Sequence, residues 1–464
     1  MSATATSNGL ARLNPPPRSD NTVRVRMLDT TSVMSLHAFS FVDPVMPGHE
    51  LMSVTTMAFL IENERLGKKA MFDLGTRKDY WNSPPMTLRR IQDAIPGVRI
   101  DKDVTEILQE KGMRLEEIND IIWSHSHWDH MGSPHLFPPS TNLNYGAGTG
   151  VFPAYPHTPD SNLNEDDFKG RQCNEIDCHR SGVFIGPFPA HDFYDDGSLY
   201  LLDTPGHWPG HLCALARTTP DTFVFLGGDI CHFAGDFRPS EQIPMPDEIP
   251  TAAFRGRVGR NPMPCPCAVF TNSHPQTCNE SVTEAFDAQR TPFYKLSTHA
   301  KSTYKDPQTA IVTTFGLQEY FDGDPNVLVL LAHDTALVEI LPVFNNTPDK
   351  DLNAWQAEGM KERCHWGWLG ELPQYDSNGN VVGPPNRVLD INSLITALDD
   401  FVTKVADAEL GVPLNYYITD IIKEHQLRRQ QAKGRYLAVD NAVVIWKSFD
   451  PDVACVEACR EKLM

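Results

Sequence analysis

The sequence predicts a mixed α/β (α+β) chain. Short apolar, β-branched runs of roughly four to eight residues recur along it and read as strands. Stretches with helical spacing lie between them, and several of the runs end in a cluster of His, Asp and Gly. The chain has 464 residues, 41% of them apolar, enough for one large domain with additions.

Met1 to Asn21 is rich in Ser, Thr, Asn and Pro and has no apolar core. Residues 1–21 therefore read as a disordered leader and not a secretory signal. Thr22 to Met27 alternates as an edge strand does. Val54 to Ile61 is a longer strand, Glu62 to Gly67 a turn, and Lys69 to Gly75 a third strand closing a hairpin or meander. Val104, Ile107 and Leu108 carry helical spacing within Lys102 to Gly112.

Ile118 to Trp123 is a short buried strand. It runs into Ser124-His125-Ser126-His127-Trp128-Asp129-His130, which packs three imidazoles and a carboxylate into six positions. His125 and His127, two apart, point the same way on an extended chain. Asp129 and His130 lie beyond, where the backbone turns, and can face a second site. Imidazole and carboxylate form a donor set that suits zinc. His135 then caps a helix or faces solvent.

Pro138 to Glu175 shows no periodicity, and Phe152, Tyr155 and Phe168 mark it as a lid or substrate wall. Ser198 to Asp203 is a strand leading into Thr204-Pro205-Gly206-His207-Trp208-Pro209-Gly210-His211, where the Pro-Gly turn aims His207 back from the strand end. Thr222 to Leu226 is a buried strand ending in Gly227-Gly228-Asp229, with His232 three residues on. Arg255 to Arg290 is rich in Pro, Cys and Asn. Cys265, Cys267, Cys278 and His274 suggest a zinc knuckle, but the paired spacing of structural zinc sites is missing, and a packed loop is the preferred reading. Ala310 to Asp322 looks helical, and Asn326 to Ala332 is a strand with His333-Asp334 at its end. Lys361 to Leu372, with Trp366 and Trp368, packs the last helix onto the sheet.

These elements divide the chain into a catalytic domain over residues 22–375, a linker over 376–388 and a C-terminal extension over 389–464. In the extension Ile391, Leu394, Ile395, Leu398, Phe401, Val402 and Val405 recur at helical spacing. That apolar stripe is a surface through which the chain can form an oligomer. The net charge of −20, from 60 acidic against 40 basic residues, argues against nucleic acid and anionic membranes as partners. No run approaches the ~18 apolar residues of a membrane span. Ten cysteines without a C-x-x-C pair point to reduced thiols and a cytoplasmic protein.

Taken together, H-x-H-x-D-H at 125–130, T-P-G-H-x-x-G-H at 204–211, Gly-Gly-Asp at 227–229 and the strand-borne His333-Asp334 resemble the signature of the metallo-β-lactamase superfamily, most of all its N-acyl homoserine lactonase-like group. The resemblance spans about residues 22–375. It implies an αββα sandwich with metals at one edge. It implies two divalent metal ions, zinc by default, with His125, His127 and His207 on the first, Asp129, His130 and His333 on the second, and Asp229 between them. Asp73 and His211 would support the ligands from behind, although Asp73 also reads as a simple turn residue.

The implied chemistry is hydrolysis. A metal-bridging hydroxide attacks a carbonyl and opens a lactone ring, of the acyl-homoserine-lactone or secondary-metabolite kind, and Asp129 takes the proton released as the intermediate collapses. Where the lactonase branch has a carbonyl-polarising Tyr, this sequence has His232 close by; it either donates the same hydrogen bond or is an inert loop residue. In the iron–oxygen branch an acidic residue holds the place of His127, so His127 favours zinc and hydrolysis. Thioesterases of the glyoxalase II and polyketide-releasing types and lactam hydrolases resemble the same motifs, and a metal-binding interaction protein is the non-enzyme alternative. The expected partner is a small-molecule ester or lactone.

Overall fold

The computed structural model describes residues 14–254, 265–278 and 286–373, together with Tyr375 and Asn380. Two sheets carry the fold. The first has seven strands in the spatial order Gly97–Ile100, Arg24–His37, Leu51–Asn63, Lys68–Phe72, Asp120–Ile122, Asn142–Gly146 and Cys173–Ile176. The second has six, in the order Val327–Leu330, Phe223–Leu226, Leu212–Arg217, Leu199–Asp203, Phe188–Asp192 and Val183–Ile185.

Side-chain alternation assigns the faces. Leu199 and Leu201 join Val25, Met27, Phe59, Phe72 and Ile122 of the other sheet in one buried cluster, so the sheets lie face to face. Tyr200 and Leu202 point the opposite way and pack with Leu317 and Phe321, from the helix Pro307–Leu317 and its continuation Gln318–Asp322. On the outer face of the first sheet, Leu28, Ala58, Leu60 and Met71 meet Val104, Ile107 and Leu108 of the helix Val104–Glu110. The layers are helix, sheet, sheet, helix: the αββα sandwich that the motifs imply.

Strand directions bring the motifs to one edge. Lys68–Phe72 and Asp120–Ile122 pair in parallel, Phe72 opposite Ile122. Phe223–Leu226 and Val327–Leu330 do the same, Leu226 opposite Leu330. Leu199–Asp203 is antiparallel to Leu212–Arg217, which is antiparallel to Phe223–Leu226, so it also ends there. Two main-chain hydrogen bonds cross between the sheets at this edge: Leu212 N–H donates to Ser124 O (2.7 Å) and Met57 N–H to Ala332 O (2.9 Å).

Three sequence expectations need correction. The first strand does not stop at Met27 but runs on to His37, where Ser32–Ser35 gains a second neighbour in Gly97–Ile100. Pro138 to Glu175 is not wholly loop. It contains Asn142–Gly146 and most of Cys173–Ile176, which extend the first sheet in parallel. Asn142–Gly146 alternates Asn-Leu-Asn-Tyr over only 5 residues, Cys173–Ile176 does not alternate, and a side-chain ladder joins the two. Asn142 and Asn144 donate to Asp120 Oδ1 (3.0 and 3.2 Å), and Asn174 donates to Asn144 Oδ1 (2.9 Å). The strands Phe188–Asp192 and Leu212–Arg217 were also not read from sequence; the latter is buried throughout and so gives no period-two signal.

The leader apart from residues 14–21, most of the linker and the whole 389–464 extension lie outside the described residues. No described helix is long and apolar enough to cross a membrane.

Candidate metal centre

The ligand loops are built from the strand ends outward. Trp123, fully buried after Asp120–Ile122, donates its indole N–H to Met131 O (3.1 Å), bracing both ends of the 125–130 loop. Asp73 adopts φ +60°, an uncommon choice for a residue with a Cβ. In that conformation its carboxylate accepts from Ser124 N–H (2.7 Å), Ser124 Oγ (2.8 Å) and His130 Nδ1 (2.8 Å). Gly228 sits at φ +49° beneath the cluster, and a Cβ there would come within 2.9 Å of Ser124 Cβ and 3.0 Å of His211 Nε2. His211 accepts from Asp229 N–H at Nε2 (3.0 Å), while its Nδ1 lies 3.1 Å from Thr204 O. It therefore holds the Asp229 backbone and does not face into the cluster itself.

Two groups of donors result. One donor atom each from His125, His127, His207 and Asp229 lies within 4.8 Å of all the others, and the same holds for Asp129, His130 and His333. In the first group His207 Nε2 is 3.1 Å from His125 Nε2 and 2.9 Å from His127 Nδ1. Asp229 stands between the groups. Its Oδ2 faces His207 Nε2 (3.3 Å) and His125 Nε2 (3.6 Å), and its Oδ1 faces His130 Nε2 (3.0 Å) and His333 Nε2 (3.2 Å). Asp129 Oδ2 lies 3.5 Å from His333 Nε2.

The donor chemistry fits cations. His130 Nδ1 donates to Asp73 and His333 Nδ1 to Thr55 O (2.8 Å), so their Nε2 atoms present lone pairs. Those two lone pairs lie 3.3 Å apart and face a carboxylate oxygen that has no hydrogen-bond partner among the described residues. Acceptors that converge on acceptors repel one another unless positive charge lies among them. The electrostatics show the same need. Burial would lower His130, but Asp229, Asp73 and Asp129 outweigh it and hold the imidazole well above its ordinary range. Burial would raise Asp229, but His130, His333, His232 and His125 hold it far below the usual carboxylate value. Burial, with His130 and His127 alongside, pushes His125 well below.

All seven ligand candidates from the sequence thus meet in one place. His232 joins them: its Nε2 lies 3.1 Å from Asp229 Oδ2 and its Nδ1 3.0 Å from the Tyr304 hydroxyl. It also forms a third donor group with Asp229 and His333. It is fully buried, and burial lowers it to about 3. Both ring nitrogens of His232 are thus engaged at the edge of the cluster. Tyr304 was not anticipated, because it comes from an irregular segment with no motif around it. Trp208 was overlooked within a motif that was read for its histidines. His274 is not a zinc ligand in this structure: Nε2 lies 3.0 Å from Thr291 O, and Nδ1 accepts from Gln276 N–H (3.3 Å). His135 is exposed and lies 3.2 Å from Asp167.

The chain is similar to known proteins over most of its length. The family model of the Metallo-beta-lactamase superfamily matches residues 54–285. "Gamma-lactamase FDB1" of Fusarium pseudograminearum (strain CS3096) is 36% identical over 388 residues, covering 80% of this chain and 89% of its own. "Gamma-lactamase MBL2" of Gibberella moniliformis (strain M3125 / FGSC 7600) is 44% identical over 210 residues, covering 44% of this chain and 86% of its own. Among solved structures, that of a quorum-quenching N-acyl homoserine lactone hydrolase aligns with a TM-score of 0.44 at 15% identity, over 70% of this chain and 98% of that one.

Proposed function

This chain belongs to the metallo-β-lactamase superfamily and is a metal-dependent hydrolase, and from that premise we propose that it uses two divalent ions, zinc by default, to open a five-membered lactam or lactone ring. The observation that carries the dinuclear reading is Asp229, with one carboxylate oxygen turned to each histidine group. His125, His127 and His207 would hold the first ion, Asp129, His130 and His333 the second. Support for a γ-lactam comes from the two relatives that bear the name gamma-lactamase. A lactone is the second reading, since the same site accepts either acyl bond.

When bound, two such ions polarise a carbonyl oxygen and make hydroxide available near neutral pH. The net reaction adds water: a C–O bond forms at the carbonyl carbon, the ring C–N or C–O bond breaks, and the leaving nitrogen or oxygen gains the proton. The protein's own groups hold and move that proton. The Asp129 side chain keeps 12% of its surface open, more than Asp229 does, and is placed to carry the proton to the leaving atom. Asp73, acting through His130 and Ser124, fixes which nitrogen of His130 carries hydrogen. His232 steadies Asp229 at Oδ2; it can donate to a substrate carbonyl only by releasing that carboxylate.

The test is ring opening of γ-butyrolactone and 2-pyrrolidinone by zinc-loaded protein, with a chelator-treated control and metal counted per chain by mass spectrometry. Chelator-sensitive opening with about two ions per chain supports the reading; opening that survives chelation sinks it. Replacing His232 with Phe should slow the reaction by about 10–100-fold at unchanged metal content. An unaltered rate removes His232 from the working site.

A further inference from the structure

Among the ligand candidates His127 alone is half-buried; the others are buried. The cluster is therefore approached from the His127 side. Trp208 packs there, its ring centre 4.3 Å from that of His127. Arg90 lies over Trp208, with the guanidinium carbon 5.0 Å from the ring centre. This flank is built by contacts between distant segments. Thr87, on the same helix as Arg90 (Pro85–Ala94), donates its hydroxyl to Asn162 O (3.1 Å). Asn162 Nδ2 donates to Ser126 O (2.7 Å), and Trp208 Nε1 to Ser126 Oγ (2.9 Å). Asn162 and Trp208 thus fasten onto Ser126, the residue between His125 and His127, and the helix joins them through Asn162.

Among the described residues Arg90 forms no ion pair, whereas its neighbour Arg89 does, with Asp160 at 3.7 Å.

We propose that Arg90 is the anion-binding residue at the mouth of the metal centre, and that the molecule bound there presents a carboxylate to it. This rests on the hydrolytic reading above. A guanidinium stacked on an indole keeps its in-plane N–H fork free, and that fork matches the two oxygens of a carboxylate. The rest of the chain works against anions, since the net charge is −20, so an unpaired cation beside the entrance is what would draw one in. The carboxylate has two sources: a group already on the substrate, or the acid that ring opening creates.

The experiment uses the zinc-loaded full chain and a matched pair, 5-oxopyrrolidine-2-carboxylate and its carboxamide. Binding is read by titration calorimetry, and ring opening separately. The acid should bind about tenfold more tightly than the carboxamide. Arg90→Met should abolish that preference, Arg90→Lys should keep part of it, and the melting temperature should not move. If the carboxylate is the substrate's own, Arg90→Met raises KM for the acid and leaves that for the carboxamide unchanged. If it belongs to the product, both KM values stay and inhibition by the ring-opened product weakens.

Equal affinity of wild type for the pair with no change in product inhibition overturns the proposal, as does a preference that persists in Arg90→Met or no binding of either compound. Binding preference without any ring opening would instead sink the hydrolytic reading and leave Arg90 standing.

Discussion

Asp229 has two jobs that one substitution can separate. Asp229→Asn keeps the shape and loses the charge, so the histidine groups lose the anion that both of them face. Metal content should fall below two per chain, and ring opening should drop by at least about 100-fold; full metal content with full activity would mean the carboxylate does not join the sites. Asp73→Asn acts one step back, weakening the hold on His130 and Ser124, with metal affinity down about 10–100-fold in a competition against a chelating dye. Every ligand candidate was legible in the sequence because each sits on a short run of chain, a strand end followed by His or Asp. Tyr304, Trp208 and Arg90 were not singled out as site residues. Their roles arise only when segments far apart in the chain are packed together, as Thr87, Asn162, Ser126 and Trp208 are, and local patterning carries no trace of that.

At the scale of the element, strands dense in aromatic, β-branched and other apolar residues were legible: Val54 to Ile61 lies within Leu51–Asn63, and Thr222 to Leu226 covers Phe223–Leu226. The strand Asn142–Gly146 escaped because it is short and sets Asn and Gly among its buried Leu143 and Tyr145, and part of its stability originates in amide side chains bonded across the ladder. That origin is testable. Asn144 donates to Asp120 Oδ1 and to Ile121 O (3.1 Å) and accepts from Asn174. Asn144→Leu strands those partners and should cost about 2–3 kcal/mol, with hydrogen exchange accelerating in residues 142–146 and 173–176 before the rest of the sheet. Uniform exchange across the sheet would show that the ladder is dispensable.

For the molecule as a whole, stability should decline on the acid side through histidines buried in neutral form. His49 is completely buried against Tyr294, with Nδ1 2.7 Å from the hydroxyl, and burial lowers it from 6.5 to about 4. Between those values the unfolded chain takes up a proton that the folded one refuses, so stability is complete above pH 6.5 and is lost as pH falls toward 4. The difference is worth about 3 kcal/mol. Denaturant melts of wild type and His49→Gln at pH 7 and pH 4 should show the variant losing less; parallel losses would exclude His49.

The main-chain bonds from Leu212 to Ser124 and from Met57 to Ala332 bear on how such a chain can change over generations. They set the distance between the two ligand-bearing sheets through groups that every residue type but proline possesses. Substitution alters side chains and leaves those groups in place. At the flank, by contrast, each of these contacts of Thr87, Arg90, Asn162 and Trp208 depends on a side chain. Descendants of this chain are thus free to exchange one small molecule for another at the entrance while the spacing behind it is inherited intact.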